Sequence, residues 1–172
     1  PLGRPMHDTI VYELNVRGFT RSPTSRVDRP GTFAGLVEKI PYLVELGVTA
    51  VELLPIFQFD ETVGDFWGYN PIGHFAPHRP YGDLDDFRNL LRAAKRHEID
   101  IALDIAYQCS PDHPYVREHP EWFKHRPDGT VQYAENPPKK YEDIYPFEFQ
   151  SPHWRSLWEE LKSVVEFWIA QG

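Results

Sequence analysis

Few residues in this chain are placed to do chemistry. Asp104 ends the strongest part of the apolar run Ile101-Ala102-Leu103-Asp104-Ile105-Ala106. An acid flanked by Ile and Ala must find a donor or go unpaired at a real energetic cost. It reads either as a structural hydrogen-bond acceptor or as a group that faces a ligand. The segment holding Phe66, Trp67, Tyr69, Phe75 and Tyr81 is crowded with rings, and aromatics make up 15% of the whole chain. That fraction suits either a bulky core or a cleft in which flat rings stack on sugar faces. Other chemistries lack their spelling. There is no Gly-x-Ser-x-Gly and no phosphate loop, and the eight histidines include no His-Glu-x-x-His spacing. No metal site and no cofactor are expected.

The bulk numbers narrow the partners. The 172 residues make one domain's worth of chain, with 18 Lys and Arg against 26 Asp and Glu and a formal charge of −8. Without basic runs, nothing neutralises phosphate, so neither nucleic acid nor an anionic membrane is an expected partner. Cys109 is the single cysteine, which rules out a disulfide framework and fits a reducing cytoplasm. Arg4, His7, Asp8, Glu13 and Arg17 interrupt the first 20 residues, so no signal-peptide core is read there. No run approaches the ~18 apolar residues of a membrane span.

These residues must be positioned by alternating elements. Residues 10–19 read as a first strand, and 20–31 as a loop. Thr32 caps a helix with Phe33, Leu36, Val37, Ile40, Leu43 and Val44 at helical spacing. Pro41 should kink or restart it, and Gly47 should end it. Residues 49–56 form a nearly all-apolar second strand, the kind buried on both faces of a parallel sheet. A long aromatic loop follows. Asp83 then caps a helix with Leu84, Phe87, Leu90, Leu91 and Ala94 on one face, and 101–106 make a third buried strand. Eight of the 17 prolines fall in 107–152, which reads as an irregular subdomain or one long functional loop. Ser151 as cap and Pro152 at the first helical position open a last helix striped by Trp154, Leu157, Trp158, Leu161, Val164, Val165, Trp168 and Ile169.

The order β-α-β-α-β-insertion-α argues an α/β fold with a parallel sheet and right-handed crossovers. Residues 1–106 would hold three strands and two helices, 107–152 the insertion, and 153–172 the third helix. Three strands cannot close a barrel, and both outer strands and the tryptophan stripe expect cover, from self-association or from a complementing C-terminal half.

The spellings themselves are familiar. Tyr12-Glu13-Leu14-Asn15-Val16-Arg17-Gly18-Phe19-Thr20, Gly31 to Leu36, Gly47 to Pro55, Trp67-Gly68-Tyr69-Asn70-Pro71 and Phe75-Ala76-Pro77 resemble glycogen-debranching and isoamylase-type members of glycoside hydrolase family 13, the α-amylase family. Ala102 to Pro114, Glu121-Trp122-Phe123, Arg126 to Thr130 and Ala134 to Pro146 are similar instead to the maltosyltransferases of that family that use maltose-1-phosphate. The change of likeness falls near Gly82, and a natural hybrid, a laboratory chimera and a truncated gene would all look like this.

The resemblance implies the first three strands of a TIM (β/α)8 barrel acting on α-glucans or malto-oligosaccharides, by hydrolysis or glycosyl transfer. By position, Asp104 matches the family's strand-3 aspartate at the first donor subsite, and Tyr69 the aromatic that stacks on that sugar. Gln108, Asn136, Lys139, Tyr141 and Asp143 match maltosyltransferase residues that hold the maltosyl unit and its phosphate; a solvated loop face is the competing reading for Lys139 and Lys140. Gln108-Cys109 stands where most α-amylases have Asn-His, and Phe57 to Asp60 stands where the maltosyltransferases carry Arg-Lys-Gly. Retaining glycosidases need two carboxyls about 5 Å apart. In this family both lie on strands 4 and 5, expected beyond Gly172, so no catalytic residue is assigned. Arg26-Val27-Asp28 has the letters of the nucleophile motif but sits between Pro23 and Pro30-Gly31, a loop. The chain is expected to be inactive alone. A non-catalytic half-barrel fragment or chimera, serving as a self-associating scaffold or a weak sugar-binding module, is the second reading, and an unfamiliar dyad of Asp104 with Asp143 the third.

Overall fold

The computed structural model describes residues 3–63 and 66–172. In chain order its main elements are β1 (Val11–Leu14), α1 (Val16–Thr20), α2 (Phe33–Glu45), β2 (Ala50–Leu53), β3 (Phe57–Phe59), β4 (Pro71–Pro77), α3 (Leu84–Arg96), β5 (Asp100–Leu103), β6 (Gln108–Cys109), α4 (Pro114–Glu118), β7 (Ala134–Asn136), β8 (Lys139–Tyr141), β9 (Tyr145–Pro146) and α5 (Trp154–Ile169). They fall into two compact units: 1–56 with 76–105 and 171–172, and 57–75 with 106–170.

The first unit is built on a parallel sheet in the order β1-β2-β5. Val11 pairs with Ala50 and Leu14 with Leu53, and on the other side Ala50 pairs with Asp100 and Leu53 with Leu103. Central β2 is buried along almost its whole length, whereas Val11 on β1 is 50% exposed and Ala102 on β5 is exposed. The third strand is therefore not buried on both faces as its composition suggested. Burial follows position in the sheet, and β5 is an outer strand among the described residues.

The helices of this unit are specified locally. Thr32 accepts the Gly35 N–H at 3.1 Å to start α2. At its other end Val48 N–H bonds the Leu43 carbonyl and Gly47 N–H the Val44 carbonyl, a Schellman turn that needs the positive φ of Gly47. Pro41 neither breaks nor restarts the helix. It lies inside the helix, four residues before its end at Glu45, and has no N–H to offer the carbonyl four residues back. Asp83 and Asp86 form a reciprocal capping box on α3. Phe33 is fully buried between the two helices, with ring centroids 5.5 Å from Phe87 and 6.0 Å from Tyr81.

Two expectations about strands are corrected here. The first strand stops at Leu14, because Asn15 turns the chain: its side chain accepts the Gly18 N–H at 2.9 Å and opens α1. The aromatic segment is not all loop, since β4 runs through it and pairs with β3. Arg26-Val27-Asp28 is irregular, with Arg26 left-handed at φ 53 after a short 3-10 turn.

The second unit has a core of Cys109, Tyr115, Trp122, Phe123, Phe147, Leu157 and Leu161. Its 107–152 segment is indeed built of very short elements. Helix α5 begins later than its sequence suggested. Ser151 Oγ accepts the His153 N–H at 3.2 Å, Pro152 lies in the preceding turn, and the N-cap His153 makes no side-chain cap bond. The buried stripe is also narrower: Leu157, Leu161, Val164 and Trp168 are covered by their own chain, while Trp154 (46%), Trp158 (48%) and Ile169 (70%) face outward. Leu157 and Trp168 thus need no external partner.

Candidate functional site

The predicted site residues are held in three different ways. Asp104 directly follows β5 in the first unit. Its N–H bonds the Leu53 carbonyl at 2.9 Å, which extends the sheet by one step and places the half-buried residue at the C-terminal end of a parallel strand. In parallel α/β folds that end is where functional side chains collect.

Tyr69 and Gln108 meet in the second unit. The Gln108 Nε2 donates to the Tyr69 carbonyl at 2.7 Å, so the amide of Gln108 fixes the backbone that carries the Tyr69 ring. Beside it, Ser110 N–H bonds the Pro71 carbonyl at 2.9 Å. Tyr69 is half-buried.

Asn136, Lys139 and Tyr141 share the β7–β8 hairpin, where Asn136 pairs with Lys139 and Ala134 with Tyr141. Asn136 and Lys139 are exposed, as is Asp143 just beyond, and Tyr141 is half-buried. A few residues upstream, Arg126 lies over the Tyr133 ring at 3.8 Å and pairs with Glu135 at 3.6 Å, tying the hairpin's first strand to the loop before it. Among the described residues, no group of three or more His, Cys, Asp and Glu side chains could hold a metal ion.

Two buried polar residues carry almost no local signal that would mark them as part of the site. His74 on β4 and His113 before α4 are 1% and 3% exposed, with ring centroids 4.8 Å apart. Tyr115 stacks near His74, at 5.8 Å and 18°. The Trp168 indole N–H donates to the His74 carbonyl at 2.8 Å. Burial holds both imidazoles neutral: His74 drops to about 4, and His113 to about 3 with help from its neighbour His74. Burial likewise pushes the Cys109 thiol and the Tyr115 phenol up, the latter helped by its bond to Glu160. One signal was available in the sequence. His113 precedes Pro114, the proline of a helix's first turn, and its Nδ1 accepts the Tyr115 N–H at 3.1 Å as a cap would. No period marks His74.

Comparison with known proteins agrees with this geometry. The α-amylase catalytic-domain family matches residues 14–172. The chain is 47% identical over 171 residues to the alpha-1,4-glucan:maltose-1-phosphate maltosyltransferase of Methylacidiphilum infernorum, covering 90% of this chain and 26% of that protein. It is 48% identical over 158 residues to the enzyme of the same name from Myxococcus xanthus, covering 82% of this chain and 24% of that one. The maltosyltransferase likeness therefore extends well into the first half. The chain spans about a quarter of the length of these curated relatives. Among solved structures, an alpha-amylase from Lactobacillus plantarum superposes with a TM-score of 0.77 at 27% identity, over 94% of this chain and 36% of that one. The trehalulose synthase MutB, at 21% identity and a TM-score of 0.76, shares the fold. With its parallel strands, its capped helices and a match from Leu14 to Gly172, the chain belongs to the α-amylase family of glycoside hydrolases.

Proposed function

We propose that this chain is the opening part of a (β/α)8 barrel from an α-glucan-active enzyme, with strands 1–3 and the insertion after strand 3. It supplies sugar-holding groups, while the bond-breaking carboxyls belong to strands outside its sequence. The observation that carries this reading is the position of Asp104, fixed at the C-terminal end of β5 by its bond to Leu53. Tyr69, braced by Gln108, offers the ring face that a glucose unit stacks on. The similarity to maltosyltransferases favours glycosyl transfer over hydrolysis for the parent enzyme, with Asn136, Lys139, Tyr141 and Asp143 toward the maltosyl unit and its phosphate. Neither a nucleic acid nor a membrane is a partner in this reading, and the buried, unbridged Cys109 suits a cytoplasmic setting.

Starch, glycogen and pullulan incubated with the chain should release reducing sugar no faster than buffer does. Without the paired carboxyls, no residue protonates the leaving oxygen or captures the sugar covalently. Turnover that disappears in Asp104→Asn would contradict this and place the chemistry within these 172 residues. A second reading, a self-associating scaffold, draws on the outward-facing Trp154 and Trp158 and on the open flanks of β1 and β5. A concentration-independent monomer in light scattering would end it.

A further inference from the structure

The second unit hides a chain of polar contacts that begins in its core and ends at Tyr69. The His74 Nε2 lies 3.3 Å from the Gln108 carbonyl. A carbonyl only accepts, so this nitrogen carries the proton and His74 Nδ1 is bare. The His113 Nδ1 accepts from the Tyr115 backbone N–H, so its proton sits on Nε2. Both rings are thereby set in one tautomer by backbone partners. What is left, the His74 Nδ1 and the His113 Nε2, is a buried acceptor and a buried donor, each enclosed and neither hydrogen-bonded among the described residues. The rings are gripped from several sides. Phe57 meets His74 edge-on at 5.4 Å, Tyr115 stacks on it, and the Trp168 indole holds its carbonyl. Gln108 then passes the constraint on, because its side-chain amide holds the Tyr69 carbonyl.

We propose that His74 and His113 are positioning residues: as a tautomer-fixed neutral pair they hold the backbone of Gln108, and through its side chain the backbone of Tyr69, in the place a sugar ring requires. The proposal deepens the reading of Tyr69 as a sugar platform. A core filled by hydrocarbon alone would bury the same area without enclosing two imidazoles, and enclosed polar groups cost stability. That cost is offset if the pair specifies one backbone arrangement at the surface above it. Protonation of His74 puts a second proton on its ring, next to His113, and loosens the arrangement. The titratable groups around the pair are Cys109 from β6, Tyr115 from α4 and, acting on Tyr115, Glu118 of α4, His119 just after it and Glu160 of α5. Glu160 accepts from the Tyr115 hydroxyl rather than from either imidazole.

The test is NMR on the 172-residue chain with 15N-labelled imidazoles. At neutral pH both His74 and His113 should give the Nε2–H tautomer. On acidification the backbone amides of Tyr69 and Gln108 should shift with the His74 ring, while the amides of Asn136 and Lys139 on the hairpin should not follow it. An Nδ1–H tautomer at His74, or Tyr69 and Gln108 amides indifferent to its titration, overturns the proposal. A pair of variants guards against simple acid unfolding. His74→Gln keeps an amide donor toward the Gln108 carbonyl, and His74→Leu does not. At pH 7 the first should leave the Tyr69 and Gln108 amide shifts as they are, and the second should move them. Maltotriose affinity, read at Tyr69, should fall about fivefold in His74→Leu, the ordinary net value of one hydrogen bond, and stay within about twofold in His74→Gln. Equal behaviour of the two variants rejects the positioning role. If the unsubstituted chain shows no response to maltotriose, the glucan reading fails, and the tautomers and amide shifts still decide whether the pair positions Tyr69.

Discussion

In the first unit, the buried Phe33, Leu36, Leu53 and Phe87 are apolar side chains from two capped helices and a parallel sheet. In the second, His74, His113 and Cys109 are buried like core residues, and β6, α4, β7, β8 and β9 are only two to five residues long. The first core comes from period and would serve many functions. The second comes from individual contacts: His119 flat on Trp122 at 3.9 Å, the Trp122 indole on Ser156, the Tyr107 hydroxyl on the Leu161 carbonyl. Regular elements bury surface cheaply because each backbone bond is already made. An irregular segment must satisfy its polar groups one at a time, which is why side-chain donors and acceptors crowd there.

The largest effect expected from this contrast lies in the periodic core. Phe33→Ala removes a fully buried ring from between α2 and α3 and should cost about 3–5 kcal/mol in urea unfolding. A loss under about 1 kcal/mol would mean that the two helices do not pack as described.

Acid should act on the second core instead. Both histidines titrate lower folded than unfolded, so between the two values the unfolded chain binds more protons. Stability should therefore be level above about pH 6.5 and fall as the pH drops through 4 toward 3. The His74 displacement alone corresponds to about 3 kcal/mol of lost stability. Urea midpoints followed through tryptophan fluorescence would check it. Replacing both histidines with Leu should flatten this part of the profile, whatever it does to stability at pH 7.

Asp83→Ala should give the smallest change. It removes the acceptor for the Asp85 and Asp86 N–H groups and should cost about 1 kcal/mol, with Asn restoring most of it. Equal stability of the Ala and Asn variants would deny the cap its role.

The contrast also explains what could be read in the sequence. Caps such as Thr32 and Asp83, the Gly47 stop and the apolar run of β2 each act within a few residues, so their spelling is enough. The end of the first strand is not legible in the run of β-formers, because Asn15 within it turns the chain with its own side chain. The helical period marks a wider stripe on α5 than is buried, because Trp154 and Trp158 satisfy it yet face outward. Asp104 and Tyr69 stood out by type and resemblance. The bracket between Gln108 and Tyr69 did not, since it joins residues 39 apart through a side chain and a carbonyl. His74 was invisible for the same reason: what defines it is the carbonyl of Gln108 and the indole of Trp168, partners no local pattern predicts.

The chain is proposed to hold sugar without cutting it, and one titration tests both properties. Maltotriose would be added to isotope-labelled chain while the Tyr69 and Gln108 resonances and the sugar's own anomeric signals are followed together. We expect the protein resonances to shift with a dissociation constant around the millimolar level, about 4 kcal/mol of binding, because ring stacking on Tyr69 needs little from elsewhere. The same sample should yield no glucose or maltose over days, and Tyr69→Ala should abolish the shifts. Resonances that stay still at roughly a hundred times that concentration, where a millimolar site would be saturated, or new anomeric signals that grow with time, would contradict the account.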